Sequence, residues 1–548
     1  MKKLYPVIVL FLIAFNSKAQ INFGWANSLS GSSSQIAGTK IVSDANGNIY
    51  TTGSFDGSRP FGTYTLTALG ISDAYVAKYD SAGNCVWANS YGYINSTTTG
   101  NNICVDNNGD IYVCGGFTNT LQVDTNYYFA LGQTDNFLLK LDPNGNLIRT
   151  KVSGGQSVDD ARALTVDAQN NVYMGGDFGY KSIFDSDTIS TTGLSSLTDI
   201  FIAKYSPTGN VQWVKKAGGP DNDGAFAIHY RNGRLYVAGV FIGNGSFPPN
   251  SVTASGTGTD IFIAKYDLGG NNLWVKKAGG TANDYCYDMS TDSFGNAYTT
   301  GSIILNASFG ALPPINVGNY PDIFIAKIDS SGNFIYAKKA GCGTLADNGS
   351  GIATDKYGRS VITGNFSSTA SFGTFNLTAT GGADIFVAKY DAAGNCQYAL
   401  KAGGSSNDGG SGVSWLSEGN EFVIAGSYQN NATFGIISLN VPAGATYASF
   451  LTKIPGYFTG IETFEYFSDG AAAYPNPTAD FVHIKLENLN DPESVSLINS
   501  LGQVVMNNSI DPNQNDLIFD VSKLSPGIYT AKINSANTFS TCKVQVIK

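Results

Sequence analysis

Asp260-Ile261-Phe262-Ile263-Ala264-Lys265-Tyr266 is one of seven variants of the same phrase in this chain. The others begin at Asp73, Asp135, Asp199, Asp322 and Asp384, with a seventh at Ala448 that lacks the aspartate. Successive starts lie 62, 64, 61, 62, 62 and 64 residues apart. A period that steady marks one supersecondary unit repeated, each copy burying its apolar face against its neighbours.

Working outward from Asp384, the sixth copy reads as a short strand at Ile352–Asp355, a turn at Lys356–Gly358 and a second strand at Ser360–Phe366. An insert with Ser371-Phe372-Gly373 follows, then the anchor strand Asp384–Tyr390, a turn and a last strand at Gln397–Ala402. These are strands a, b, c and d. Between a and b, and again between c and d, the chain repeats Asp-x-x-Gly, as in Asp292–Gly295 and Asp267–Gly270. A carboxylate acceptor at the first position and a glycine free to take positive φ at the fourth describe a type I turn with a bulge. A calcium loop would need alternating oxygen ligands and a closing glutamate, which these turns lack.

Four antiparallel strands per copy make the blade of a propeller. The expected fold is all-β: a seven-bladed β-propeller followed by a small Ig-like β-sandwich. The last copy, Val413–Ile454, supplies a, b and c but no d, while an orphan d-type strand stands at Asn22–Leu29. The N-terminal strand is therefore expected to close blade seven and so hide two sheet edges.

Composition agrees. Of 548 residues, 65 are glycine, 12% are aromatic and only 14% are charged, which suits short strands and tight turns. A net charge of −10 leaves no basic stripe, so nucleic acid is not an expected partner. Lys2 and Lys3, the apolar run Val7–Phe15 and Ser17-Lys18-Ala19 read as an export signal over 1–19, with cleavage between Ala19 and Gln20. No later segment is apolar enough to span a bilayer. The seven cysteines fall at unrelated phases of the repeat, so neither a disulfide framework nor a metal cluster is expected.

Asp44–Gly53 with Asp73–Gly83, and Asp292–Gly301 with Asp322–Gly332, resemble the seven-bladed propeller repeat family common in secreted bacterial proteins, over about residues 22–455, and the propeller domain is expected at 20–455. After a linker at 456–473, residues 474–548 show six short alternating segments, enough for a small sandwich. Tyr474-Pro475-Asn476-Pro477, Leu501-Gly502-Gln503 and Leu524-Ser-Pro-Gly527-Ile528-Tyr529 resemble the C-terminal sorting domain of the Bacteroidetes type IX secretion system. That resemblance implies the type IX machinery as a partner and a secreted or outer-cell-surface location.

Chemistry is expected on the face that carries the d-to-a and b-to-c connections. There the loop aspartates Asp159, Asp223, Asp284, Asp347 and Asp408 recur blade after blade, and their symmetry favours a structural role over a cation site. The c-strand lysines at 78, 140, 204, 265, 327, 389 and 453 read as scaffold by the same reasoning, paired with the aspartates. Residues that break the repeat are the better ligand-binding candidates: Arg149, Arg162, His229, Trp415, Tyr127 and Tyr128. No catalytic residue and no cofactor is assigned. Two histidines, one of them in the tail, make a histidine triad hard to assemble. The expected function is a non-enzymatic propeller that binds glycan or protein, or serves as an adhesin or spacer. The alternative is a glycan-active hydrolase or lyase using carboxylates such as Asp159-Asp160 or Asp185/Asp187.

Overall fold

Apolar alternation broken by Asp-x-x-Gly turns folds into a series of four-stranded antiparallel sheets. The computed structural model describes residues 23–32, 40–194, 197–416, 421–442, 444–455, 471–486, 492–499, 503–511, 514, 516–535 and 538–547. The expected export signal, the expected cleavage pair Ala19 and Gln20, most of the expected linker, and Gly502 lie outside these residues. The chain forms two compact units, Met1–Tyr457 and Phe458–Lys548.

In the first unit, blade 1 runs Lys40–Ser43, Ile49–Phe55, Asp73–Tyr79 and Cys85–Tyr91, hydrogen-bonded in that order. Five more blades repeat the pattern, with inner strands at Thr98–Val105, Asp159–Val166, Gly224–Arg231, Tyr285–Thr291 and Asn348–Thr354. The last sheet has Gly409–Trp415 innermost, then Phe422–Gln429 and Tyr447–Ile454, with Trp25–Ser32 outermost. Its register places Trp25 opposite Lys453 and Ser28 opposite Phe450. Each inner strand packs against the next, and Gly409–Trp415 packs against Lys40–Ser43, which closes the ring.

The turns explain their own sequence. In the Asp267 turn, Oδ1 accepts the N–H groups of Gly269 and Asn271, both at 2.9 Å, and the Asn271 amide donates to Oδ2. Gly270 sits at φ +80°, where a side chain would be strained. From strand b, the Tyr298 hydroxyl donates to Asp292 Oδ2 at 2.9 Å, tying turn to core.

Neighbouring blades are joined by the d-strand aromatics. Trp87 Nε1 donates to Pro143 O (3.2 Å), Trp213 Nε1 to Leu268 O (3.1 Å) and Trp274 Nε1 to Ser330 O (3.3 Å), each in the next blade's c–d turn. Trp25 makes the same bond to Ser81 O at 3.3 Å, so the closing strand joins blade 1 as any d strand joins its neighbour. The c-strand lysines correct the expectation that they pair with aspartates. Lys78, Lys204, Lys265 and Lys327 stand over the rings of Tyr50, Tyr173, Tyr236 and Tyr298, at 5.1–5.4 Å. Lys140, over Tyr112, also reaches Asp110 at 2.9 Å. The b–c inserts, unassigned from sequence, are hairpins such as Lys181–Phe184 with Asp187–Ser190.

The second unit has two antiparallel sheets. One orders Ala471–Tyr474, Phe481–Leu486 and Asp516–Asp520; the other orders Val504–Ser509, Pro492–Ile498, Gly527–Ser535 and Thr538–Val546. Val482, Ile484 and Phe519 from the first meet Val495, Leu497, Ala531 and Val544 from the second in one core, the arrangement of a β-sandwich.

Candidate functional site

The loop aspartates are mostly occupied by the backbone. Asp284 accepts the N–H of Gly280 (2.6 Å) and of Ile304 (2.8 Å). Asp223, Asp347 and Asp408 each accept two equivalent N–H groups, tying the d-to-a loop to the start of the blade's insert. Each is buried, and burial raises Asp223 to about 7 and Asp284 and Asp408 to about 6. Asp159 differs: it is fully buried, but neither of its oxygens has a hydrogen-bond partner. Among the described residues, no three His, Cys, Asp or Glu side chains converge as a metal cluster.

The inner strands hold a feature that sequence reading missed as a series. Every one from blade 2 to blade 7 carries a register shift at the same place, between Gly100/Asn102, Ala161/Ala163, Ala225/Ala227, Cys286/Asp288, Gly349/Gly351 and Gly410/Gly412. The residues in these bulges are Asn101, Arg162, Phe226, Tyr287, Ser350 and Ser411, all partly exposed. A bulge re-aims its side chain relative to the pleat. Here it offers six side chains of five kinds from one repeated position along the wall of the ring.

Arg162 anchors the most developed part of this wall. Its Nε donates to Asp177 Oδ1 at 2.6 Å, and Nη2 lies 3.0 Å from Asp160 Oδ2. Asp160 and Asp177 are cross-strand partners, so the guanidinium bridges one rung of the sheet. From blade 2, Asn101 donates to Asp160 Oδ1 at 2.6 Å; from blade 4, the Phe226 ring lies 5.4 Å from the guanidinium carbon. The Arg162 side chain is still 41% exposed. Burial raises Asp160 to about 6 and also raises Asp177, while the arginine pulls both down; the two carboxylates in turn raise Arg162. Tyr285 and Tyr287, stacked at 5.7 Å, continue the wall on blade 5. Fixed carboxylate and amide acceptors, an exposed guanidinium edge and aromatic faces suit a polyhydroxylated or polar peptide ligand.

The other candidates lie elsewhere. Arg149 takes the place of a d-strand tryptophan and makes its bond, Nη1 to Pro207 O at 3.2 Å in the next blade's turn. Trp415 stands by Lys389 (5.8 Å) where blade 6 has Val361 in place of the strand-b tyrosine, and packs on Phe422. His229 Nδ1 is 2.7 Å from Thr291 Oγ1, and burial lowers its pKa to about 4. Tyr127, 49% exposed, and Tyr128 sit on the blade 2 insert, where Tyr127 packs edge-on against Tyr93 at 5.3 Å. Asp185 binds Lys151 at 2.9 Å at the tip of another insert, beside Asp187. The seven cysteines are unpaired. Of the singular residues, Arg162 gathers partners from three blades, whereas His229 meets only Thr291 of the next blade.

In the sandwich, the Tyr474 ring stacks on His483 at 5.0 Å, and its hydroxyl donates to Asp516 Oδ2 at 3.2 Å. Asn476 is held to the last strand by Nδ2 to Lys543 O (2.6 Å) and by the Gln545 N–H (2.7 Å); Pro475 and Pro477 flank it. The Tyr529 hydroxyl donates to Ser525 O at 2.9 Å, just before Gly527.

Comparison with known proteins fits this division. Residues 472–548 match the secretion system C-terminal sorting domain family, and residues 273–304 match a β-propeller repeat family. The chain is an exported β-propeller protein whose sorting domain marks type IX secretion to the cell surface or extracellular space, consistent with a secreted propeller protein of Bacteroidetes. An uncharacterised WD repeat-containing protein of Acanthamoeba polyphaga mimivirus is 26% identical over 479 residues, covering 69% of this chain and 34% of that protein. The chain spans about a third or less of the curated relatives it matches. Among solved structures, a protein of unknown function from Dyadobacter fermentans is 11% identical, covering 79% of this chain and 99% of that one, with a TM-score of 0.36. The intramolecular trans-sialidase of Ruminococcus gnavus is 10% identical, covering 72% and 90%, with a TM-score of 0.33. Neither likeness bears on chemistry.

Proposed function

We propose that the propeller is a non-enzymatic binding module, delivered outside the cell by its tail, that takes a glycan or a polar protein segment at the inner wall around Arg162. The observation that supports this reading most is the bulge series. One backbone irregularity recurs in blades 2 to 7 while the side chain it presents changes. The varied residues, arginine, phenylalanine, tyrosine, asparagine and serine, give the wall the uneven chemistry that recognition of a specific ligand uses. Asp160 and Asp177 share one guanidinium, an arrangement suited to holding a fixed charge pattern rather than to splitting acid and base roles.

A glycan array and a pulldown with the purified chain test it. Arg162→Lys keeps the charge but loses the planar fork, and Phe226→Ala removes the neighbouring ring. Both variants are expected to lose at least tenfold in affinity for whatever the wild type captures, with thermal unfolding little changed. Captured ligand bound equally by both variants, or cleaved on incubation, would refute the reading, and cleavage would favour the hydrolase alternative.

A further inference from the structure

Four of the five loop aspartates are satisfied by backbone donors, and the structure shows why the fifth is not. Gly218, Gly279, Gly341 and Gly403 take φ between +117° and +143°, which turns the following N–H onto the aspartate of the same loop. Gly154 and Gly155 instead remain in strand d of blade 2, Leu147–Gly155, and pair with Ile183 and Ser182 of the blade 3 insert. With the loop extended, Asp159 has no well-formed hydrogen bond at either oxygen; the Gly155 N–H and the Ser182 hydroxyl lie near it without closing one.

Two more groups are stranded beside it. Asp135 Oδ1 and Ser182 Oγ are buried and without a partner. Both face Asp159: the Ser182 hydroxyl, as a nearby donor, favours its charged form, and the Asp135 carboxylate opposes it. The pair of carboxylates keeps one well-formed backbone donor, Leu131 N–H to Asp135 Oδ2 at 3.0 Å, with the Gly132 and Gly155 N–H groups nearby in looser geometry. Asp199, Asp260 and Asp384 also leave one oxygen open, but their loop partners Asp223, Asp284 and Asp408 are each bonded twice. Two buried carboxylates with so little compensation are costly unless a positive charge joins them.

We propose that Asp135, Asp159 and Ser182 form a calcium site where the end of blade 2 meets the insert and inner strand of blade 3. The donors are all oxygen, the choice of a hard cation, and two carboxylates balance a divalent charge. Calcium fits better than magnesium, which demands octahedral geometry and holds its waters; the two carboxylates and the hydroxyl offer up to five of calcium's roughly six to eight oxygens, and loop carbonyls would supply the rest in this site sealed from solvent. The ion does there what turned glycine N–H groups do in the other blades: it fastens the loop.

The test uses the full-length chain, stripped with EDTA and titrated with calcium chloride at pH 7.5 by calorimetry and thermal unfolding. Expected are about one calcium bound per chain and a rise in Tm on its addition. Asp159→Asn should abolish the response, and Ser182→Ala should weaken binding by roughly tenfold. Asp284→Asn, at the equivalent loop of blade 5, should lower Tm but keep the calcium response. Should Asp159→Asn fail to fold, the Ser182→Ala titration decides. No calcium response in the wild type, or one unaltered by both Ser182→Ala and Asp159→Asn, overturns the site and leaves a shared proton as the compensating charge.

Discussion

Arg149 shows how a residue that breaks the repeat can still serve it. Its guanidinium reaches the same turn carbonyl that an indole N–H reaches in the other blades. Sequence marked Arg149 and Arg162 equally, because both interrupt a column; only the direction of the side chain separates them. Trp213→Ala should cost roughly 2–4 kcal/mol, having both ring and hydrogen bond to lose. Arg149→Trp should be neutral or stabilising. Urea unfolding of the two variants checks this, and a loss above about 1 kcal/mol for Arg149→Trp would show that the arginine has another task.

The buried aspartates set a pH dependence at the same scale. Folding raises Asp223 to about 7 and Asp284, Asp322 and Asp408 to about 6, chiefly by desolvation. The folded state then holds protons more tightly than the unfolded chain, whose aspartates titrate near 3.9. Stability falls as pH rises through this window, from about 4 to about 8, by an amount on the order of a few kcal/mol. Tm measured in chelator at pH 5 and pH 8 should be higher at pH 5; the opposite order would mean that the loop N–H groups outweigh burial.

Among the elements, strands and turns were legible because each turn carries its chemistry in sequence. Asp267, Gly270 and Asn271 are all explained by bonds within the turn. Asp267→Ala should therefore cost about 1–3 kcal/mol, read by urea unfolding, with no effect on ligand capture. A loss of capture would place function on the turn face. The bulges were not legible, since a register shift depends on pairing with the neighbouring strand. A trace did exist: Ala161-Arg162-Ala163, Ala225-Phe226-Ala227 and Gly349-Ser350-Gly351 set a variable residue between small ones. The c-strand lysines were misjudged for a related reason. Their tyrosine partners lie across the sheet, on strand b, and no spacing along the chain reveals that.

For the whole molecule, the ring keeps its shape because its two ends share one sheet. Trp25–Ser32 covers the edge of Tyr447–Ile454, which would otherwise expose a strand to pairing with other chains. Closure also brings blade 7 to blade 1 through Trp25 and Ser81, and through Ser43 N–H to Ser414 Oγ at 3.0 Å. The inner wall on which Arg162 and its neighbours converge exists only in the closed ring. Ala26 stands directly opposite Thr452 across the closing ladder. The double variant Ala26→Cys/Thr452→Cys, oxidised and examined by non-reducing mass analysis, tests the closure most directly. A monomer with an intramolecular disulfide and a raised Tm is predicted. Two more free thiols than the seven of the native chain, or covalent dimers, would contradict a ring completed by its own N-terminal strand.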